Sequence, residues 1–432
     1  MASTYLKRDI TSDGNKKIFT FSMWVKRGTL GSEQRLLMGY DAGSGEEFFQ
    51  FNSNDKMKFA SSNGTLYLSD VDSTRVFRDT SAWYHLVLAY DSTQATDTNR
   101  IKLYVNGEQE TIDSSPGGFP SQNTDILFWN TSGDDIDIGG RSELNNLYFD
   151  GQMSHIHFID GTAYDATAFG QYDANGVWTI KTDVSVTYGN NGFFILKDGN
   201  SVTDQSGNSN NWTVGGGTLT NTEDNPSNVF ATMNPLTTGG TSSVSLDRGN
   251  NQVNFDASGQ WYAVYSTLGA ITGKYYAEVL TDAIGGGTSV GIISSDTASL
   301  NQGTGDYLGK EVDSIGYFSN GDIKKQNVNQ QTGLTNLSST TIVGIAMDLD
   351  NNSVQFYVNG TSTGNAVSLT ANKFYLFGTS GYSGARHRWN FGNGYFGTTA
   401  ISSAGTNASG IGIFEYDVPT GYTALSTKGL NL

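Results

Sequence analysis

WYHLVLAYD (Trp83–Asp91), a polar loop, then IKLYVNG (Ile101–Gly107): this stretch decides the reading of the chain, because it is written a second time as IVGIAMD (Ile342–Asp348) and SVQFYVNG (Ser353–Gly360). Alternation is clean in each return strand. Ile101, Leu103 and Val105, like Val354, Phe356 and Val358, fall on one face, with Lys102 and Tyr104, or Gln355 and Tyr357, on the other. A period of two marks a strand with one buried side. Asn-Gly then supplies the positive φ of a tight hairpin turn. Two copies of one unit, each inside roughly half of the chain, predict two β-sandwich domains on a common plan.

The 432 residues suffice for two such domains, each with a substantial core. Glycine is abundant (54), proline scarce (5), and aromatic residues make up 12%. No long segment carries apolar residues at helical spacing, so the composition is that of an all-β chain rich in turns. A formal charge of −17 argues against a nucleic-acid partner, which needs clustered Lys and Arg, and against an anionic membrane surface. Cysteine is absent, which rules out a disulfide framework, a thiolate metal site and a catalytic thiol, and leans towards cytoplasmic synthesis. Met1–Ile10 holds charge but no apolar stretch of the kind a signal peptide needs, and no run approaches membrane-spanning length.

Outward from the hairpins, Ile18–Lys26 reads as a strong strand with Phe19, Phe21, Met23 and Val25 in one stripe. Arg35–Tyr40 and Glu47–Phe51 follow around a turn at Asp41–Gly45, and Lys56–Ala60 pairs with Thr65–Leu68. Ile136–Gly140 and Gly151–Ile159 close the first sandwich, and Asp165 caps one helical turn. Residues 191–235 are polar turn formers pinned by Trp212, Phe230 and Met233, so they read as an ordered connector. The expected organisation is a sandwich over 1–190, a connector over 191–235 and a sandwich over 236–432.

FTFSMWVK (Phe19–Lys26), WYHLVLAYD, IKLYVNGE (Ile101–Glu108), DIDIGGR (Asp135–Arg141) and YFDGQMSHIHFIDGTAYDATAF (Tyr148–Phe169) stand in the order of the laminin-G-like, concanavalin A-like jelly-roll superfamily, which the first 170 or so residues resemble. GKYYAEV (Gly273–Val279), SVGII (Ser289–Ile293), DSIGYFSNGDI (Asp313–Ile323), IVGIAMDLDNNSVQFYVNG (Ile342–Gly360) and WNFGNGYFG (Trp389–Gly397) resemble a SPRY domain. The two halves, joined through SGNSNNW (Ser206–Trp212) and NPSNVFATMNPL (Asn225–Leu236), resemble structural proteins of tailed-phage virions, marine and cyanobacterial ones especially. The resemblance implies tandem antiparallel sandwiches on the outside of a particle, in contact with other virion proteins, with further copies of the chain (a trimer above all) and with host-surface glycans.

Chemistry is sparse. Jelly-roll glucanases place acids along one strand as Glu-x-Asp-x-x-Glu, and this chain has no such strand; Asp135-Ile-Asp137 runs on into Ile138-Gly139-Gly140, and Glu46 and Glu47 point to opposite faces. His155 and His157 share a face if the strand is regular and could take a metal, yet no third ligand stands nearby. Asp134, Asp135 and Asp137 leave Ca²⁺ open without a motif to support it. No cofactor is expected. Arg386-His387-Arg388 is the one compact basic spot, next to Tyr382 and Trp389; it could grip a carboxylate or acidic sugar, with pairing to the chain's own acids the better reading. Trp129, Trp178 and Trp261 lie near loops where an indole could stack on a sugar or serve as scaffold, whereas Trp24 and Trp83 read as core. The candidate ligand-binding set is thus Trp129, Trp261, Tyr382, Arg386, His387 and Arg388.

The expectation is a non-enzymatic structural protein on a virion exterior, assembled in the host cytoplasm, as tail fibre, appendage or capsid decoration. The start of the chain reads directly into the first sandwich without heptads, which favours decoration or appendage over a plug-in fibre. A jelly-roll hydrolase and a cellular carbohydrate-binding adhesin are the alternatives.

Overall fold

The rhythm of alternating strands and Asn-Gly corners is realised throughout. The computed structural model is all-β, with nearly every strand pair antiparallel, and the helical elements among the described residues are four short 3₁₀ turns. It describes residues 4–41, 43–197, 199, 201–238, 242–256, 259–297 and 305–432, with backbone only at 115 and 116. The chain forms two compact units, Met1–Asn221 and Thr222–Leu432, each a pair of packed sheets.

In the first unit an eight-stranded sheet runs, edge to edge, through Ile112–Gly118, Tyr67–Val76, Lys56–Ser62, Gly45–Phe51, Gln34–Asp41, Asp135–Ile138, Tyr5–Asp9 and Thr213–Gly216. The six-stranded sheet runs Phe193–Ile195, Gly151–Asp160, Ile18–Arg27, Trp83–Asp91, Ile101–Val105, Glu108–Gln109. Phe19, Phe21, Met23 and Val25 form the expected stripe and meet Leu37, Phe49, Phe51, Phe59 and Val71 of the opposite sheet in one core. The other side of Ile18–Arg27 is buried as well. A smaller cluster of Val87, Ile159, Ala166 and Phe169, joined by Trp178, covers it, and His85 stacks between Trp24 (4.8 Å between ring centres) and Trp178 (5.9 Å). Trp24 and Trp83 are core residues, as expected. Asp165 caps its 3₁₀ turn by accepting the Thr167 N–H.

The second unit repeats the two-sheet plan. Its eight-stranded sheet carries Val244–Asp247, Gln252–Phe255, Ala385–Asn390, Lys274–Ala283, Thr341–Asp348, Ser353–Val358 and Thr361–Ser368 in that order, with Thr423–Ala424 alongside Lys274–Ala283. The six-stranded sheet runs Tyr262–Ala270, Tyr375–Tyr382, Gly287–Ser294, Ser314–Phe318, Ile323–Lys325, Val328–Gln331.

The two hairpins agree beyond their sequence. Asn106 and Gly107 have φ of 49° and 87°, Asn359 and Gly360 48° and 78°. Asn106 Oδ1 accepts the His85 N–H at 2.8 Å while its own N–H donates to the His85 carbonyl; Asn359 makes the same two bonds with Ile342. Each turn is therefore fixed by backbone conformation and by a locked carboxamide. The first copy sits in a six-stranded sheet, the second in an eight-stranded one.

The described residues of 191–235 are ordered and divide between the two units, so they form no separate connector. Phe193–Ile195 pairs with Gly151–Asp160, Thr213–Gly216 pairs with Tyr5–Asp9, and Trp212 packs edge-on against Phe193 at 4.9 Å inside the first core. Asp204 organises the polar run by accepting backbone N–H groups of Phe194, Ser206 and Asn210, each at 2.8 Å. Phe230 and Met233 are buried in the second unit. The aromatic pins are the reason: each belongs to the core it fills.

Candidate functional site

The basic triplet lies on Ala385–Asn390, a strand of the second unit's eight-stranded sheet, and strand alternation splits it. His387 turns inward and is 0% exposed. Its Nε2 meets the Thr288 hydroxyl at 3.0 Å, its Nδ1 meets Thr379, and burial holds its pKa down to about 3. It is a neutral core histidine, which corrects its assignment to a ligand surface. Arg386 and Arg388 turn outward and both pair with Asp282, Arg388 through Nη2 at 3.0 Å. A register shift between Leu280 and Ala283 in the adjacent strand accompanies the placement of Asp282 between the two guanidiniums. The chain's own acid thus takes up the pair.

Trp129 is likewise a core residue, 0% exposed. The loop Ile126–Trp129 enters the first core because Glu47, buried beneath it, accepts the N–H groups of Leu127, Phe128 and Trp129 at 3.2–3.3 Å. A sugar has no access to this indole, and its assignment as a stacking platform is corrected. Trp178 is half-buried, donating its Nε1–H to His85 Nδ1 at 3.1 Å.

Trp261 and Tyr382 are brought together, with ring centres 4.9 Å apart. Tyr307 (5.2 Å) and Phe318 (6.0 Å) complete a cluster around the indole. Two glycines make room for it: a Cβ at Gly286 would stand 2.4 Å from Tyr382, and one at Gly287 would meet both Tyr382 (2.4 Å) and Trp261 (2.7 Å). Lys324 Nζ lies 4.8 Å from the Phe318 ring centre, a cation–π contact at the rim. Trp261, Tyr307 and Tyr382 remain partly exposed, so the cluster presents aromatic area on a stiff sheet. Tyr382 and Phe318 lie on the six-stranded sheet, with Trp261 and Tyr307 in segments beside it, while Arg386 and Arg388 lie on the eight-stranded sheet and pair with Asp282. Tyr307 and Phe318 escaped the sequence reading because they lie on separate segments.

The metal readings resolve in the same way. A bulge between Ser154 and His157, with His155 at φ 47°, breaks the shared face of the two histidines. His157 is buried with Nδ1 at 2.8 Å from the Tyr188 hydroxyl. Asp135 pairs with Lys7 at 2.6 Å, and Asp137 accepts the Ser142 N–H at 2.8 Å. Among the described residues no three His, Cys, Asp or Glu side chains gather to hold a metal ion.

Two modules with sandwich cores and surface-facing loops define the class, and comparison with known proteins gives each a family. Residues 2–167 match the model of the concanavalin A-like lectin/glucanases superfamily (Laminin_G_3), and residues 274–394 match the SPRY domain. The chain carries a concanavalin A-like domain followed by a SPRY domain, folds typical of binding or adhesion modules. No curated protein sequence matches it. Among solved structures it is similar to a human SPRY domain (15% identity, TM-score 0.29, 34% of this chain and 94% of that one) and to the TRIM65 PSpry domain (15%, 0.30, 37% and 91%). It is also similar to stonustoxin (15%, 0.31, 55% of this chain and 33% of that one).

Proposed function

We propose that this chain is a non-enzymatic structural protein of a tailed-phage virion exterior, as tail fibre, appendage or capsid decoration, whose two sandwiches make adhesive contacts with host-surface glycans or neighbouring virion proteins. The observation that carries the contact role is the Trp261–Tyr382–Tyr307 platform, aromatic area held partly exposed on a rigid sheet. The particle location rests on the sequence resemblance of the whole domain order. A non-enzymatic role is supported by the employment of the acids: Asp282 and Asp135 are paired with cations, and Glu47 and Glu278 are capped by backbone N–H groups. The chain works without a cofactor, as a homo-oligomer, a trimer in the first instance, and multiple copies raise weak single contacts by about 10²–10⁴ in avidity.

Electron microscopy of intact particles carrying this protein tests the reading. Density for two tandem sandwiches on the capsid or tail surface is expected, with Trp261→Ala particles adsorbing to host cells more slowly. Absence from the particle, or release of sugar products from a polysaccharide by the purified chain, overturns it.

A further inference from the structure

Lys58, on Lys56–Ser62 of the first unit's eight-stranded sheet, faces two acids of the neighbouring strand Tyr67–Val76. It stands opposite Asp72, with Asp70 two residues along. Strand alternation puts all three side chains on one side of the sheet, while Met57, Phe59 and Val71 enter the core. Lys58 Nζ lies 2.6 Å from Asp70 Oδ1 and 3.7 Å from Asp72 Oδ1. Apart from the lysine, neither Oδ1 meets a hydrogen-bond partner among the described residues, and each has almost no accessible area. The Asp70 side chain is 1% exposed and that of Lys58 16%. The edge strand Ile112–Gly118 shuts Asp70 in: a Cβ at Gly117 would stand 2.5 Å from the Asp70 Cβ. Tyr67 lies beside the amine, its ring centre 6.0 Å from Nζ. At Lys7 and Asp135 the same 2.6 Å separation is 35% and 39% exposed, and water keeps both ions solvated.

One cation between two enclosed acids leaves a charge unmatched. Burial pushes the Asp72 carboxyl up, and the Asp70 charge adds to this against the pull of Lys58. Burial also works against the Lys58 charge, but the two acids outweigh it, so the resting pair is an ammonium and a carboxylate. An amine, an acyl carbon and an acid able to exchange protons with both therefore meet at one point. In bulk water the separate ions win over an amide because both are strongly solvated. Enclosure removes part of that solvation, and joining the two groups cancels both charges and releases a water. We infer that Lys58 and Asp70 join in an intramolecular isopeptide bond, with Asp72 as the proton carrier. The ammonium first gives a proton to the Asp70 carboxylate, leaving a neutral amine beside a neutral acid. The Nζ lone pair then attacks Asp70 Cγ. As the C–O bond breaks, protonated Asp72 gives its proton to the departing hydroxyl and takes one back from the nitrogen. One amide and one water form, no oxidant or reductant is consumed, and Asp72 ends as it began. The bond staples two adjacent strands, and it is independent of the particle reading above.

Intact-mass measurement of the full chain, followed by tryptic mapping, tests it. The chain is expected to be lighter than its sequence by one water. Trypsin should fail to cut after Lys58, so that Met57–Arg75 emerges as one internally bridged peptide carrying the whole deficit. Lys58→Arg keeps the charge without the nucleophile and should restore the full mass. Asp72→Asn keeps the side chain's shape but not its proton, and should leave most of the chain unlinked with Lys58 and Asp70 in place. The wild-type mass decides even if a variant fails to fold. A wild-type chain at full sequence mass, or ready cleavage after Lys58, overturns the bond. A deficit that persists in Lys58→Arg overturns its assignment to this lysine, and linkage unchanged in Asp72→Asn overturns the role of Asp72.

Discussion

Glu47 and Glu278 perform one chemical task in two sandwiches and differ in what they hold. Both are fully buried, and burial pushes both carboxyls up to about 7 against the pull of the backbone N–H groups they accept. Glu47 takes three N–H groups from Leu127, Phe128 and Trp129, a segment that goes on to fill the core. Glu278 takes two, from Glu415 and Tyr416 at 2.8 and 2.9 Å, together with the Tyr276 hydroxyl at 3.2 Å, and the segment it holds stays half-exposed over the sheet. The first carboxylate organises a core and the second works as a clasp. A buried acid in a sandwich is thus evidence of loop anchoring before it is evidence of catalysis.

The contrast can be tested by removing each acid. Glu47→Ala leaves buried N–H groups that water cannot reach and should lower the stability of the first unit by about 3–4 kcal/mol, read in denaturant melts, with faster hydrogen exchange over 126–130. Glu278→Ala frees N–H groups near solvent and should cost about 2–3 kcal/mol, confined to the second unit. Equal losses would erase the distinction between organiser and clasp.

Protonation sharpens the same comparison. Each carboxyl is raised from 4.5 to about 7, so the folded chain keeps a proton there that the unfolded chain has lost. The contribution to stability is fully present below about pH 4.5, falls as pH rises through about 7, and is flat above, a change of about 3 kcal/mol per carboxyl. Asp55 and Asp348, held below the usual aspartate range, act in the opposite sense and only at lower pH. Glu47→Gln and Glu278→Gln should each remove one share of the decline between pH 4.5 and 7; a slope unchanged by both would show that neither acid is the source. The smallest effect is expected at the surface: Asp282→Ala unpairs Arg386 and Arg388 and should cost no more than about 1 kcal/mol in the second unit.

Much of this architecture was legible along the chain. The period of two around Phe19–Val25 and before each Asn-Gly, and the Asp165 cap, are local signals, and local signals survive translation into structure. Self-neutralisation of Arg386 and Arg388 was also readable, from the excess of acids. Trp129 was misread because its burial is decided by Glu47, some eighty residues earlier. His387 was misread as part of a patch because three adjacent residues of a strand cannot share a face. Arg35 gave no signal at all. In Gln34–Asp41 it is one cation in an apolar run, and only the pairing with Gly45–Phe51 sets it against Gln50 and Phe48. The compact basic motif is closed by its own acid, whereas the buried Nε and Nη1 of Arg35 meet no hydrogen-bond partner among the described residues.

The twin turns carry a consequence for chemical ageing. Asparagine before glycine is the pair most prone to deamidation, because the following amide nitrogen can attack the side-chain carbonyl. At Asn106 and Asn359 that carbonyl oxygen is held by the N–H of His85 or Ile342, so the carboxamide is not free to swing into the attack geometry. Peptide mapping after prolonged warm storage should find aspartate and isoaspartate first at Asn175-Gly176, an exposed turn, and last at the two corners on which the sandwiches are built.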